Sequence, residues 1–150
     1  MKILLSYVFT VGVLIFSCRN KEAVTAPLVP YSAPTDGTYQ GVKVFSSPKQ
    51  TKATSNDTVQ VSLTIGKQTG SRFTITGIVP TAQVVTAQIG NQNGFSYDRG
   101  QGIDQCGVTS MTGEGYFRGD SLFITETIRC NTATTSEVIR TICIKAVKVK

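Results

Sequence analysis

The chain has 150 residues, with 15 lysines and arginines, 9 aspartates and glutamates, and no histidine. This length suits one domain with a modest core and excludes a multidomain protein. Without histidine, the Ser/His and Cys/His nucleophile arrangements and the usual zinc sites are excluded. The basic residues are scattered rather than gathered into a run, so we expect no nucleic-acid partner.

The N-terminus has the pattern of a signal peptide. Lys2 gives a positive start, residues 3–16 form an apolar run, and the small Ser17 precedes Cys18. The run is shorter than the ~20 residues of a membrane-spanning helix. With Ile15 three positions before the cysteine, the order resembles the lipobox of bacterial lipoproteins. That resemblance implies acylation of Cys18, for example by palmitate, after removal of residues 1–17, with ordinary secretion as the alternative.

Residues 18–35 are predicted to form a lipidated, extended tether. They include Pro27, Pro30 and Pro34 among small residues and show no hydrophobic period. In lipoprotein families an aspartate directly after the anchor cysteine often marks retention at the inner membrane. Arg19 occupies that position here, so we expect attachment to the outer membrane.

From residue 36 to 150 the hydrophobic period changes to two, which predicts an antiparallel β-domain. We predict strands at 38–45, 58–65, 72–79, 83–89, 116–117, 122–130 and 138–149. Gly119-Asp120 predicts a two-residue hairpin turn. Short consecutive strands indicate an all-β meander that closes into a small barrel, with a β-sandwich as the alternative.

The last hairpin allows its register to be predicted, taking residues 131–135 as its loop. The predicted pairs combine three aliphatic contacts with two contacts between opposite charges: Leu122–Ile144, Ile124–Ile142, Ile128–Val138, Glu126–Arg140 and Arg129–Glu137. This register places Glu126 and Arg140 together on the apolar face. They would form either a structural ion pair or a polar spot that faces a ligand.

Residues 91–111 form the longest stretch without a clear strand, although 95–97 could form a short one. The stretch contains four glycines, together with Tyr97 and Arg99. Long loops in compact domains are commonly lids or binding loops. Tyr97 and Arg99 are therefore candidate ligand-binding residues.

Cys106, Cys130 and Cys143 remain after the anchor, and two of them should pair in an oxidising envelope. The predicted hairpin register places Cys130 and Cys143 on opposite faces, so Cys106 becomes the common partner. We prefer a Cys106–Cys130 disulfide with one thiol left over. We predict no metal site and no cofactor, because the chain has no CxxC pair and no histidine.

We expect no enzymatic activity and assign no catalytic residue. Glu114 and Glu126 are the only two carboxylates near each other on strands or turns. Glycoside chemistry would need both in one groove at a set separation, and the sequence does not place Glu114 there.

Two motifs resemble the lipocalin-like lipoproteins of the Bacteroidota: residues 36–41, which open the first strand, and residues 113–122. In lipocalins, a tryptophan on the first strand packs beneath an arginine from near the last strand. Tyr39 and Arg140 could fill those places. The resemblance implies a barrel with a cavity for an apolar ligand.

Two functional hypotheses follow. The first is a monomeric, membrane-anchored barrel that binds a small apolar or amphipathic molecule, with inward residues such as Tyr39 and Phe73 lining the site. A barrel of this size can also be packed solid. The second hypothesis is therefore a solid β-domain that acts as a protein-interaction or inhibitor module in the envelope, through residues 91–111.

Overall fold

The computed structural model describes residues 32–46, 58–78, 83–104, 107–131 and 136–150. These residues form eight antiparallel strands, each joined to the next in chain order. The strands are β1 (Gly37–Ser46), β2 (Thr58–Ile65), β3 (Arg72–Ile78), β4 (Gln83–Ile89), β5 (Phe95–Asp104), β6 (Gly107–Arg118), β7 (Ser121–Asn131) and β8 (Ser136–Lys148).

The sheet closes on itself because β1 pairs with both β2 and β8. The eight strands therefore form a closed barrel, which confirms the predicted all-β meander and rules out the β-sandwich alternative. β2 and β4 have the bounds that alternation predicted. The Gly119-Asp120 turn is also confirmed, with Gly119 at φ +56°.

The predicted loop at 91–111 is wrong. A short 3-10 turn (Asn91–Asn93) is followed by β5 and by the first part of β6, which pair over nine positions. The register shifts between Asp98 and Gly100, so Arg99 is the extra residue of a β-bulge. Gly100 adopts φ +75°, a conformation that a β-carbon disfavours. This glycine therefore allows the bulge within a continuous strand.

The predicted register of the last hairpin is wrong by two residues. Ile124 lies opposite Ile144, Glu126 opposite Ile142 and Ile128 opposite Arg140. From Leu122 to Ile128, a shift of two keeps each side chain on its predicted face. Beyond Ile128 the register changes at a bulge, so Arg129 lies opposite Val138 and not opposite Glu137 as predicted. The predicted Glu126–Arg140 pair does not form, because the Glu126 carboxylate binds Arg99 of β5 instead.

The two ends of the barrel differ. We call the end with the Gly119-Asp120 turn the tether end, because the chain enters there: the Ser32 amide donates to the carbonyl of Phe117 at 2.9 Å. The Gly119 amide donates to Ser32 Oγ at 2.8 Å. The last residues of the predicted tether are thus bonded to the barrel. The opposite end, where β1 ends at Ser46, is called the far end.

Candidate functional site

The half of the interior nearest the tether end is packed with aromatic rings. Phe73 meets Phe95 and Phe117 edge to face, with ring centroids 5.1 and 5.8 Å apart. Tyr39 packs against Phe117 at 5.9 Å, and its hydroxyl donates to the carbonyl of Thr35 at 2.9 Å. Tyr39 and Phe73, two predicted ligand contacts, are buried members of this core. A ligand could reach them only by displacing neighbouring rings.

The middle of the interior holds a polar group that we call the charged cluster: Lys43, Tyr97, Arg99 and Glu126. The Arg99 and Glu126 side chains are each only 2% exposed. Arg99 Nη1 donates to the two Glu126 oxygens at 3.2 and 3.4 Å. The Tyr97 hydroxyl donates to Glu126 Oε1 at 3.0 Å. Three of the predicted site residues therefore meet at one carboxylate.

Glycine on β6 allows this meeting. Tyr97 on β5 and Glu126 on β7 both lie opposite Gly113 in the ladder. A β-carbon at Gly113 would come within 2.1 Å of the Tyr97 ring. The ring therefore lies across the glycine and brings its hydroxyl to Glu126. The β-bulge supplies the other partner, because Arg99 also turns inward and reaches the same carboxylate.

Burial dominates the electrostatics of the charged cluster. It raises the pKa of Glu126, although the charge of Arg99 and the hydrogen bonds from Tyr97 and Arg99 act in the opposite direction. Burial also raises the pKa of Tyr97 well above its usual range, and the adjacent Glu126 reinforces this. Tyr97 is therefore a neutral hydrogen-bond donor at every physiological pH.

Lys43 is a member of the charged cluster that was not predicted from the sequence. Its neighbours along β1, Tyr39 and Gly41, share its inward face, and the residue is only 3% exposed. Burial lowers the pKa of Lys43, Glu126 raises it and Arg99 lowers it further. Strand alternation could have identified Lys43, because it lies an even number of residues from the inward-facing Tyr39 on the same strand.

Arg140 is placed differently from the prediction. Its guanidinium lies 5.9 Å from the centre of the Phe45 ring, near the far end. Tyr39 lies at the tether end, opposite Lys148 of β8. Arg140 therefore does not pack over Tyr39, and the arginine-over-aromatic contact suggested by the lipocalin resemblance is wrong in this barrel.

Towards the far end, the β1–β2 side of the interior is less covered, whereas Thr109 of β6 and Cys130 of β7 stay buried there. Along the inward face of β2, exposure increases from 0% at Leu63 through 8% at Val61 to 43% at Val59. Phe45 and Met111, which also face inward, are only partly buried. We call the space bordered by Phe45, Val59 and Met111 the far-end mouth. Lys43 lies directly opposite Val59 in the ladder, so it marks the inner limit of this mouth.

A groove of about 880 Å³ lies on the outer wall of the barrel, across five strands. Outward-facing apolar residues line part of it, including Val42, Val44, Tyr116 and Phe123. Tyr116 and Phe123 stack with their ring centroids 4.9 Å apart. Arg99 cannot take part in an interface on this wall, because its side chain is buried inside the barrel.

The structure describes two of the three cysteines that follow the anchor, Cys130 and Cys143. Cys130 lies opposite Glu137 and Cys143 opposite Thr125, so about six residues of strand separate them. A disulfide cannot span that distance. Neither is a free thiol, so the expectation of one thiol left over is not met in the described part of the chain. Cys106 lies outside the described residues, and the Cys106–Cys130 disulfide remains a prediction.

The signal peptide and the lipidation site Cys18 also lie outside the described residues. Within the described ranges, no helix is long and apolar enough to cross a bilayer. The same ranges contain no group of three or more cysteine, aspartate or glutamate side chains that could hold a metal ion.

Comparisons with protein-family models, curated proteins and solved structures find no match to this chain. The functional proposal therefore depends on the sequence pattern and the geometry of the barrel.

Proposed function

We propose that this protein is a lipid-anchored, non-enzymatic β-barrel of the outer membrane that binds a small amphipathic molecule at the far-end mouth. The observation that supports this most is the rise in exposure along β2, from 0% at Leu63 to 43% at Val59. It leaves apolar surface at one end of a barrel whose other end is closed by aromatic packing. Half-open apolar sites with a few convergent polar groups are typical of small-molecule binding.

The position of the tether agrees with this proposal. Ser32 is bonded at the tether end, so an anchor at Cys18 would attach the barrel by that end. The 14 residue-to-residue steps from Cys18 to Ser32 can span up to about 45 Å. The far-end mouth would then face away from the membrane, towards molecules in the surrounding compartment.

The carboxylates support a non-enzymatic function. Glu114 is exposed on the outer wall, whereas Glu126 is 1% exposed inside the barrel. The two therefore face opposite sides of the sheet and cannot act together on one substrate.

The test is a titration of the purified full-length chain in lipid nanodiscs with the fluorescent amphiphile 8-anilinonaphthalene-1-sulfonate, with empty nanodiscs as the blank. Val59→Trp should fill the far-end mouth and weaken binding roughly tenfold or more. Val147→Trp is the matched control, because Val147 is 49% exposed but faces outward near the tether end. No binding above the blank, or equal binding by the two variants, would contradict the proposal.

The outer groove supports a second candidate, a protein-interaction module. Its aromatic residues are of the kind that interface cores use. Phe123→Glu would place a charge in the groove, while Val84→Glu offers a control at an exposed valine, 66% exposed, that does not line it. Crosslinking in intact cells should lose a partner only in the Phe123 variant. An identical crosslinking pattern in both variants would rule against this candidate.

A further inference from the structure

Lys43 is the most unusual residue of the interior. It lies on β1 between Val59 of β2 and Ile144 of β8, and it is 3% exposed. The apolar stem is buried, while Nζ keeps access to water, as is usual for the charged end of a lysine. No hydrogen bond or ion pair joins Lys43 to any other residue in the described ranges. The ammonium lies over the Phe45 ring, whose centre is 4.9 Å from Nζ.

The other members of the charged cluster form no direct ion pair with Lys43. The carboxylate of Glu126 already accepts hydrogen bonds from Tyr97 and Arg99. Two cations, Lys43 and Arg99, therefore share one anion. The Phe45 ring adds a cation–π contact but no negative charge, so the ammonium can still pair with an anion that enters the mouth.

The same half of the barrel also contains a buried hydroxyl that could contact a ligand. Thr109 is 0% exposed, and its hydroxyl has no hydrogen-bond partner among the described residues. It lies near the far end, opposite Gly102 of β5 and Cys130 of β7. Buried polar atoms without a partner are rare in native proteins, so this hydroxyl is available to a polar group that enters the interior. A hydroxyl can donate to an anion as readily as an ammonium can.

We propose that the molecule bound at the far-end mouth is an organic anion, whose carboxylate, sulfonate or phosphate group pairs with the ammonium of Lys43 at the inner limit of the mouth. This inference rests on the proposed binding function and specifies its ligand class. The apolar part of the ligand would contact Phe45, Val59 and Met111, and the anionic group would enter first. The ligand would thereby supply a direct counter-ion for Lys43.

The experiment compares two probes that differ only in charge. 8-Anilinonaphthalene-1-sulfonate and N-phenyl-1-naphthylamine share the same rings, but only the first carries a sulfonate. The wild-type chain in nanodiscs should bind the sulfonate more tightly. Lys43→Met should weaken sulfonate binding roughly tenfold or more and change binding of the neutral probe less than about twofold. Lys43→Arg keeps the charge and should retain the preference.

Lys67→Met is the matched control, because Lys67 is exposed after the end of β2 and borders neither the far-end mouth nor the outer groove. It should leave both probes unaffected. The inference fails, and the binding function stands, if Val59→Trp loses sulfonate binding but Lys43→Met binds the sulfonate as tightly as the wild type does. The inference also fails if the wild type binds the sulfonate no more tightly than the neutral probe. If neither probe binds above the blank, both fail.

Discussion

Removing Arg99 tests whether the buried ion pair stabilises the barrel. Arg99→Met keeps a long apolar stem in the β-bulge but removes the guanidinium that donates to Glu126 at 3.2 and 3.4 Å. The carboxylate would remain buried, with the Tyr97 hydroxyl still donating to it at 3.0 Å. Breaking a buried pair typically costs about 3–5 kcal/mol, because the other charge is left without compensation.

Here the cost has a ceiling, because Glu126 can take up a proton instead. The ordinary pKa of this carboxyl is 4.5, which lies about 2.5 pH units below pH 7. The free energy needed to protonate it at pH 7 corresponds to that difference. At about 1.36 kcal/mol per unit, the ceiling is about 3.4 kcal/mol. We therefore expect Arg99→Met to lower the free energy of unfolding by about 2–3 kcal/mol at pH 7. The loss should fall below about 1 kcal/mol near pH 4.5, where the neutral carboxyl costs little.

The assay is urea unfolding followed by far-ultraviolet circular dichroism at both pH values. Arg118→Met provides the control, because Arg118 is exposed at the end of β6 and its loss should change stability by no more than about 0.5 kcal/mol. A cost for Arg99→Met that is equal at the two pH values, or no larger than that of the control, would refute the role assigned to the pair.

Three further predictions concern packing, charge and the disulfide. Gly113→Ala should destabilise the barrel by about 1–3 kcal/mol in urea unfolding, because the tyrosine ring above it must move, whereas Gly90→Ala should be near neutral. Equal costs would contradict this reasoning. Burial lowers the pKa of Lys43, so the folded state holds fewer protons than the unfolded state between that lowered pKa and about 10.5. The free energy of unfolding of the wild type should therefore rise with pH in this window, and Lys43→Met should flatten the rise. Identical profiles of unfolding free energy against pH for the two chains would refute this prediction. Peptide mapping without reduction should recover Cys106 joined to Cys130, and any other partner for Cys130 would disprove that pairing.

Local patterns in the sequence predicted most of the fold. β2 and β4 were predicted at their observed bounds, because alternation between an apolar and a polar face persists along each strand. β5 was missed because Gly100 and Gly102 have the composition of a loop. In the barrel, Gly100 instead permits the bulge at Arg99. Glycine in a strand is ambiguous until the strand that pairs with it is known.

The candidate site was harder to predict, because its contacts cross several strands. Tyr97, Arg99 and Glu126 were each identified, but separately and for different reasons. The contact between them depends on β5, β6 and β7 being neighbours and on a glycine in the middle strand. Charge pairing suggested Arg140 as the partner of Glu126. That inference failed because a two-residue shift preserves the inward faces, so the apolar pattern could not distinguish the two registers.

Native mass spectrometry of the full-length chain, extracted gently from its own envelope, tests the central claim most directly. The proposal predicts that the wild type and Val147→Trp carry a small anionic molecule that is released on denaturation, and that Val59→Trp, whose mouth is filled, does not. A wild-type chain recovered only at its own mass, or a bound molecule retained equally by Val59→Trp, would contradict ligand binding at the far-end mouth.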